Sequence, residues 1–495
     1  MNRTPLSFLG MVSIATVIVS VNVSAETAAS TPTFNTDVAP ILFENCVSCH
    51  RPDQIAPMVL ITYQDVRPWA RAIKDKVVKR EMPPWHADPR FGTFRRDRRL
   101  TQVAIDTIAA WVDGGAPEGE TPLTVELPVF EDGGWVHPSG RSPDLILSME
   151  PFEVPAQGEL PNFTIYQELP QELKEEERFL EAIQMAPGSL EAVHHFSFGI
   201  RPLRPGTKVG TGELWPGGPV FNGALLNAET GESVGFSGDT NEAAEDRSDL
   251  RPRSESDSIS FCCYVPGGGF LQYQPGVGKR VPTDGYISWG VHYTTVGRPV
   301  TDQSRVGLWF QDEIAHEIET YGAGGGQTHI VQGKQLVDDD FTPLRINGVG
   351  NAGAPAIPVI PPFTDDWAIT EIRVFPNDVT VYLMWAHMHT RGQEMTYLVT
   401  YPDGREEVIL SVPNFDFNWQ QFYELEEPIK IPAGSTLKTI GSYDNSVANK
   451  WNPAPQKEVY WSEQSWDEMF NGFIDFTVDK RVLQSSKSAT DGGAQ

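Results

Sequence analysis

Beyond residue 122 the chain is punctuated in a way that leaves little room for anything but β structure. Short runs rich in Val, Ile, Thr, Tyr and Trp recur between Gly, Pro and Asp turns, and helical periodicity fades after "DGGAPEGETP" (113–122). Such runs read as antiparallel sandwich or barrel strands. The run "VTVYLMWAHMHT" (379–390) alternates, which puts Val379, Val381, Leu383, Trp385, His387 and His389 on one face. "TYLVTYPDGREEVILSV" (396–412) reads as a hairpin turning at Pro402-Asp403-Gly404. Before residue 113 the period is helical. Asn35/Thr36 can cap a helix carrying Val38, Ile41 and Leu42, and Thr101 one carrying Ala104, Ile108, Trp111 and Val112, ended by Gly114-Gly115.

Between those two helices stands "ENCVSCHRPD" (44–53) in a chain with four cysteines. Covalent c-type haem attachment needs two thiols that reach one porphyrin and a following His that ligates the iron, the spacing of Cys46, Cys49 and His50. A redox Cys-x-x-Cys would follow a strand and open a helix, and half a zinc site would want a second Cys/His pair nearby. Two helices flanking a haem-binding loop resemble a class I cytochrome c, an electron carrier over residues 30–120. The stretch "REMPPWHADP" (80–89) would supply the other axial ligand. Met82, followed by two prolines, resembles the usual thioether ligand; Met58 competes with it, and His86 also stands in the stretch.

The other limits are coarse. A chain of 495 residues implies roughly three domains. Residues 1–25 read as a cleaved secretory signal, with Asn2-Arg3 as basic start, an apolar core from Phe8 to Val21 and Val23-Ser24-Ala25 as cleavage site, so a periplasmic location is expected; a single-span anchor is the alternative. A formal charge of −28 argues against nucleic acid or an anionic membrane surface as partner. The acidic run "QELPQELKEEER" (167–178) reads as a solvated segment and residues 483–495 as a disordered tail. "YGAGGGQ" (321–327) marks a boundary between two β domains, 121–330 and 331–480, or else a long loop.

Three histidine groups lie in the β region: His194 and His195 in "AVHHFSFG", His292 in "YISWGVHYTTVG", and His387-x-His389. Partners at i and i+2 on a strand share a face, so His387 and His389 can chelate one ion, whereas His194 and His195 need a bend or different ring nitrogens. Ordinary core or surface histidines are the competing reading of each pair. In their joint order, followed by "WDEMFNGFIDF" with Met469, the groups resemble the copper type II monooxygenases, the family of the peptidylglycine α-hydroxylating and dopamine β-monooxygenases. The resemblance runs over roughly 180–475 and includes "PIKIPAGSTLKTIGSYDNS" (428–446). It implies one copper on His194, His195 and His292 and a second on His387, His389 and Met469. It also implies two nine-stranded jelly rolls facing each other across a solvent-filled cleft. The expected fold class is thus multidomain, a small all-α cytochrome c domain followed by two all-β jelly-roll sandwich domains.

The resemblance implies an enzyme that hydroxylates a C–H bond with dioxygen, its catalytic residues being His387, His389 and Met469. A thioether beside two imidazoles favours Cu(I) on its own chemistry. The expected cofactors are two copper ions and one covalently bound haem c. Inserting one oxygen atom and reducing the other to water needs two external electrons, which the haem would relay from a periplasmic donor. One departure bears on the substrate. The peptide-amidating members clamp a carboxylate with an Arg two residues before the His-x-His pair, with an Asn and a Tyr after the Met; here Trp385 and Phe473 stand in place of the Arg and the Tyr, and only Asn471 is kept. A small apolar or aromatic organic substrate follows. The alternatives are a periplasmic haem/copper electron-transfer or copper-binding protein without oxygenase activity, and a binding module or zinc hydrolase. Cys262 and Cys263 could form a strained vicinal disulfide, stay as buried thiols or bind metal. His137, His316 and His329 show no pattern.

Overall fold

The computed structural model describes residues 31–480 except 53, 55, 130–133, 204, 235–258, 265–267, 323–328, 333–356, 358 and 461–463. The expected signal segment, the tail after 482 and most of the Gly-rich boundary lie outside the described residues, as do the side chains of Cys262 and Cys263.

Strands organise the molecule around two apolar cores. In the N-terminal β unit, Leu145–Ser148, Arg305–Gln311, Arg178–Ala186, Val277–Val281 and His316–Glu317 follow one another in one sheet, with Phe270–Gln272 beside Arg178–Ala186. Phe163–Glu168, Tyr286–Tyr293, Val193–Arg201 and Ile259–Tyr264 make the second sheet. Both contribute to a single core that includes Leu180, Ile183, Phe196, Trp289 and Leu308. In the C-terminal unit, Glu319–Gly322, Asn471–Val478, Val379–His387 and Tyr423–Ile431 form a four-stranded sheet. His329–Gln332, Trp367–Val374, Thr436–Tyr443, Gly392–Thr400 and Glu406–Val412 form a five-stranded one over a core with Met384, Met388, Tyr397, Phe470 and Ile474. The hairpin expected at 396–412 is present, with Gly404 at φ 84° closing its turn.

The expected fold class is corrected by this arrangement. The structure is mostly β, 38 % strand against 12 % helix, with only short helices and no N-terminal all-α cytochrome domain. Among the described residues the strands sort into sheets of six, four, four and five strands plus two ribbons rather than into the two nine-stranded jelly rolls expected. The physical reason at the N-terminus is length and docking. The helices Ala39–Asn45, Tyr63–Val66, Ala70–Val78 and Gln102–Asp113 are too short to stand without tertiary support. They share a small apolar cluster with Val38, Leu42, Val66, Ile108 and Trp111. Residues 84–95 do not close that cluster, although Leu100 rejoins it. They run as irregular chain to the C-terminal unit, where Trp85, Ala87 and Phe94 enter its core. Asp88 N–H donates to Ser411 O at 2.8 Å, Arg95 N–H to Glu424 O at 2.8 Å, and Glu426 N–H to Thr93 O at 3.0 Å.

Caps and faces inside the helical segment follow the sequence in part. Thr101 Oγ1 accepts from Ala104 N–H at 3.2 Å, as expected of that cap. The first helix begins earlier than expected: a turn of π-helix, Phe34–Val38, precedes Ala39–Asn45, and Thr33 stands at its N-cap. Among the described residues no helix is long and apolar enough to cross a membrane.

Candidate metal centres

The first histidine group is made by a β-bulge. Strands Val193–Arg201 and Tyr286–Tyr293 pair antiparallel with Val291 opposite Phe196 and His292 opposite His195, but Tyr293 opposite Val193. His194 is therefore the extra residue. A bulge re-aims the side chain it carries, and this supplies the bend that two adjacent strand histidines need to face one point. Ring centroids lie 5.4 Å apart for His194 and His195, 5.3 Å for His194 and His292, and 4.8 Å for His195 and His292. One ring nitrogen from each falls within 4.8 Å of the others. His194 Nδ1 stands 3.2 Å from His195 Nδ1, and His292 Nδ1 is buried without a hydrogen-bond partner.

Burial keeps His195 and His292 neutral. It pushes the His292 pKa down from 6.5 to about 4, helped by the neighbouring His194, and it pushes His195 well below the usual range, with His292 and His194 adding to the effect. Neutral imidazoles gathered around an unpartnered nitrogen are the donor set a soft or borderline metal ion takes.

The second group depends on another bulge. Val381 pairs with Phe476, and Leu383 with the next residue, Asp475, so Tyr382 is extra in the strand Val379–His387. From Tyr382 on, the faces exchange. Val379 and Val381 share the C-terminal core with Met384, Ala386 and Met388, whereas Leu383 and Trp385 join the core of the N-terminal unit. The expected single face from Val379 to His389 is thus corrected, because a two-residue period cannot register an inserted residue.

Past the bulge, His387 and His389 are 7 % and 3 % exposed, with ring centroids 5.3 Å apart. His387 Nε2 lies 3.1 Å from Met469 Sδ. His389 Nδ1 donates to Asp467 O at 3.2 Å, which leaves Nε2 as its free donor. Burial is the main cause holding both below the ordinary imidazole pKa. Two imidazoles and a thioether converge here, and Met469 is only half-buried.

Glu468 holds that convergence. Its fully buried carboxylate accepts the backbone N–H of His389 at 2.7 Å, Arg391 at 2.7 Å and Met469 at 3.2 Å. Desolvation raises its pKa to about 7 despite those donors and Arg391. Arg391, 1 % exposed, donates to Asn445 Oδ1 and Trp466 O, both at 2.9 Å. The "DEM" spelling hinted at Glu468; nothing in the sequence singled out Arg391 as its buried companion.

The residues that departed from the amidating pattern form an apolar slab. Trp385 stacks on Phe473 at 4.6 Å and meets Phe422 edge-on at 5.4 Å. Asn471 Nδ2 lies 3.5 Å from Met469 Sδ.

The two groups do not face one another across open solvent. Phe417, from the loop before Tyr423–Ile431, stands between them, with its ring 5.4 Å from His194, 5.8 Å from His195 and 5.8 Å from His389. Asn418 Oδ1 lies 2.8 Å from His194 Nε2, and Gln420 Oε1 lies 2.6 Å from His387 Nδ1. Sequence reasoning missed all three. No motif marks them, because their relevance comes from a loop that folds back onto His387 and His389 and onto His194, 224 residues before Asn418.

The N-terminal Cys-x-x-Cys-His loop is compact. Cys49 N–H donates to Cys46 O at 3.1 Å and His50 N–H to the same oxygen at 2.9 Å; both thiols are free. Burial pushes the Cys46 thiol up to about 12 and lowers His50. His50 Nδ1 donates to Met58 O at 3.1 Å, which leaves Nε2 available as a ligand. Two free thiols, a neutral outward-facing imidazole nitrogen and their spacing fit c-type haem attachment. Met58 packs partly buried on the helical cluster, while Met82 stands half-buried where the chain sets off for the C-terminal unit. Tyr264, buried at the end of the strand Ile259–Tyr264, stacks on Phe196 at 5.7 Å.

His137, given no role by the sequence, is buried, stacks on Trp309 at 5.3 Å and bonds Glu181 and Ser139. That arrangement is a satisfied core histidine.

No family model matches the chain, and no curated protein matches it. Among solved structures it is similar to the cycloalternan-forming enzyme from Listeria monocytogenes, at 12 % identity over 38 % of this chain and 14 % of that one, with a TM-score of 0.16. It is also similar to a Paenibacillus xanthan lyase, at 12 % identity over 73 % of this chain and 27 % of that one, with a TM-score of 0.17. A tandem CBM22 domain from Paenibacillus barcinonensis gives 8 % identity over 66 % and 82 %, with a TM-score of 0.15. At such TM-scores none of these likenesses carries an argument.

Proposed function

We propose that this chain is a copper-dependent monooxygenase that hydroxylates a C–H bond of a small apolar or aromatic substrate with dioxygen, supplied with electrons through a covalently attached haem. The observation that carries the reading is the 3.1 Å approach of Met469 Sδ to His387 Nε2 beside His389, opposite an all-imidazole group. A thioether with two imidazoles suits Cu(I), and copper with open positions supplies dioxygen binding and one-electron transfer. His194, His195 and His292 would hold one copper and His387, His389 and Met469 the other; Cys46, Cys49 and His50 would hold the haem.

The chain's own residues do the rest. Burial keeps His195, His292, His387 and His389 unprotonated and ready to ligate at neutral pH. Glu468 fixes the backbone that carries His389 and Met469. The pair of buried Trp385 and half-buried Phe473 beside Asn471 brings no cation to the Met-bearing group, which suits an apolar substrate better than a carboxylate. Export through the N-terminal segment would place the protein in the periplasm, with a periplasmic electron donor as partner.

Metal counting tests the reading. The expected result is two coppers and one haem per chain, with dioxygen uptake abolished and haem retained in Met469→Ala; one zinc and no copper would sink it. The second reading, a haem/copper electron carrier without oxygenase activity, is favoured by Phe417 filling the space between the groups. It predicts full metal content with no substrate-dependent dioxygen uptake.

A further inference from the structure

The segment 413–421 touches both histidine groups and contains none of the ligands. His194 Nε2 lies 2.8 Å from Asn418 Oδ1, and an amide oxygen can only accept, so the ring proton sits on Nε2 and the Nδ1 lone pair faces His195. The orientation of Asn418 is itself set. Its backbone N–H and its Nδ2 both donate to Asp416 Oδ1 at 2.9 Å, which leaves Oδ1 turned to His194. Two residues on, Gln420 Oε1 accepts from His387 Nδ1 at 2.6 Å, while its Nε2 donates to Phe417 O at 3.0 Å. The ring proton of His387 is thereby held on Nδ1, and Nε2 is the nitrogen left facing Met469 Sδ.

We propose that Asn418 and Gln420 are positioning residues that set, from one loop, the ring tautomers of both metal-binding groups. Asn418 belongs to the C-terminal unit and His194 to the N-terminal one, so competence of the first group depends on the docking of the second unit. Phe417 joins the two effects, because its ring packs on His194, His195 and His389 while its carbonyl holds Gln420. Hydrogen-bond partners of ligating imidazoles are worth about 10–100-fold in metal affinity when removed. The identity of the metal rests on the reading under Proposed function; the tautomer control does not.

The experiment uses the full chain with Asn418→Leu, Gln420→Leu and Asn418→Asp, the last made together with Asp416→Asn so that an acceptor still faces His194 and an amide N–H still joins residues 416 and 418. Nitrogen NMR of metal-free, 15N-histidine-labelled protein should show His194 losing its Nε2–H form in N418L with His387 unchanged, and the reverse in Q420L. Chelator competition with Cu(I) should show the three-His group weakened by about 10–100-fold in N418L, the Met-bearing group weakened similarly in Q420L, and near-native binding in the D416N/N418D double variant. An unchanged His194 tautomer and unchanged affinity in N418L would overturn the inference, as would D416N/N418D behaving like N418L. Tautomer shifts in a protein that takes up no copper at either group would refute the copper reading and leave the positioning role standing.

Discussion

His292 shows what a single side chain can and cannot reveal in advance. Its strand position was legible, and so was its membership of a His-rich set; its burial and unpartnered Nδ1 were not, since both come from strands brought together by the bulge at His194. That burial has a measurable effect. The folded pKa of about 4 lies below the usual 6.5, so the unfolded chain binds the proton first as pH falls. The stabilisation from neutral His292 is complete above pH 6.5 and is lost as pH drops towards 4. Lowered His195, His387 and His389 act in the same sense. Denaturant unfolding of the metal-free protein should therefore show stability falling below pH 6.5, by at most about 1.4 kcal/mol per pH unit for each group titrating. His292→Gln should flatten the profile; a wild-type curve level from pH 7 to 5 would contradict this account of the group. The thioether shows the same limit. Met469 was singled out by the family resemblance and its place after Asp467-Glu468, whereas the buried Glu468 carboxylate facing three backbone donors is visible only in the fold.

At the scale of elements, alternation made the strands visible and hid how they are used. The run from Val379 is a strand as expected but ends at His387, before His389, and the inserted Tyr382 turns Leu383 and Trp385 toward the N-terminal unit. Periodicity gives element type, whereas bulges are set by the partner strand, here Asn471–Val478. Deleting Tyr382 would restore uninterrupted pairing with Asn471–Val478 and carry Leu383, Trp385, His387 and His389 to the opposite face. The expected outcome is loss of metal at the Met-bearing group with retention at His194, His195 and His292, read by metal stoichiometry. The helices teach the same lesson from the other direction. Their caps and apolar faces were readable, but a haem-bearing helical domain was inferred from two helices and a loop, and nothing local showed that residues 85–95 would leave to pack against Tyr423 and Leu425.

The arrangement of the whole molecule was the least legible, since the cleft expected between the two metal groups is replaced by a packed junction. Trp385, Leu383 and Phe473 of the C-terminal unit lie against the apolar core of the N-terminal one. Polar groups hold the same junction. Asp475, 1 % exposed, lies 4.0 Å from Lys279 Nζ, accepts from Tyr273 Oη at 3.4 Å and bonds Thr320 Oγ1, which Lys279 also contacts. A buried carboxylate deprived of its cation is costly, on the order of 3 kcal/mol. Removing both charges costs less than removing one, because no uncompensated ion remains. Lys279→Met should therefore destabilise the protein by about that amount and, by loosening one unit from the other, split a single calorimetric transition into two. Adding Asp475→Leu should recover much of the loss and restore the single transition. If K279M unfolded at the wild-type midpoint, Lys279 would have no part in fixing the separation of the two metal groups, and the apolar contacts of Trp385 and Phe473 would have to set it alone.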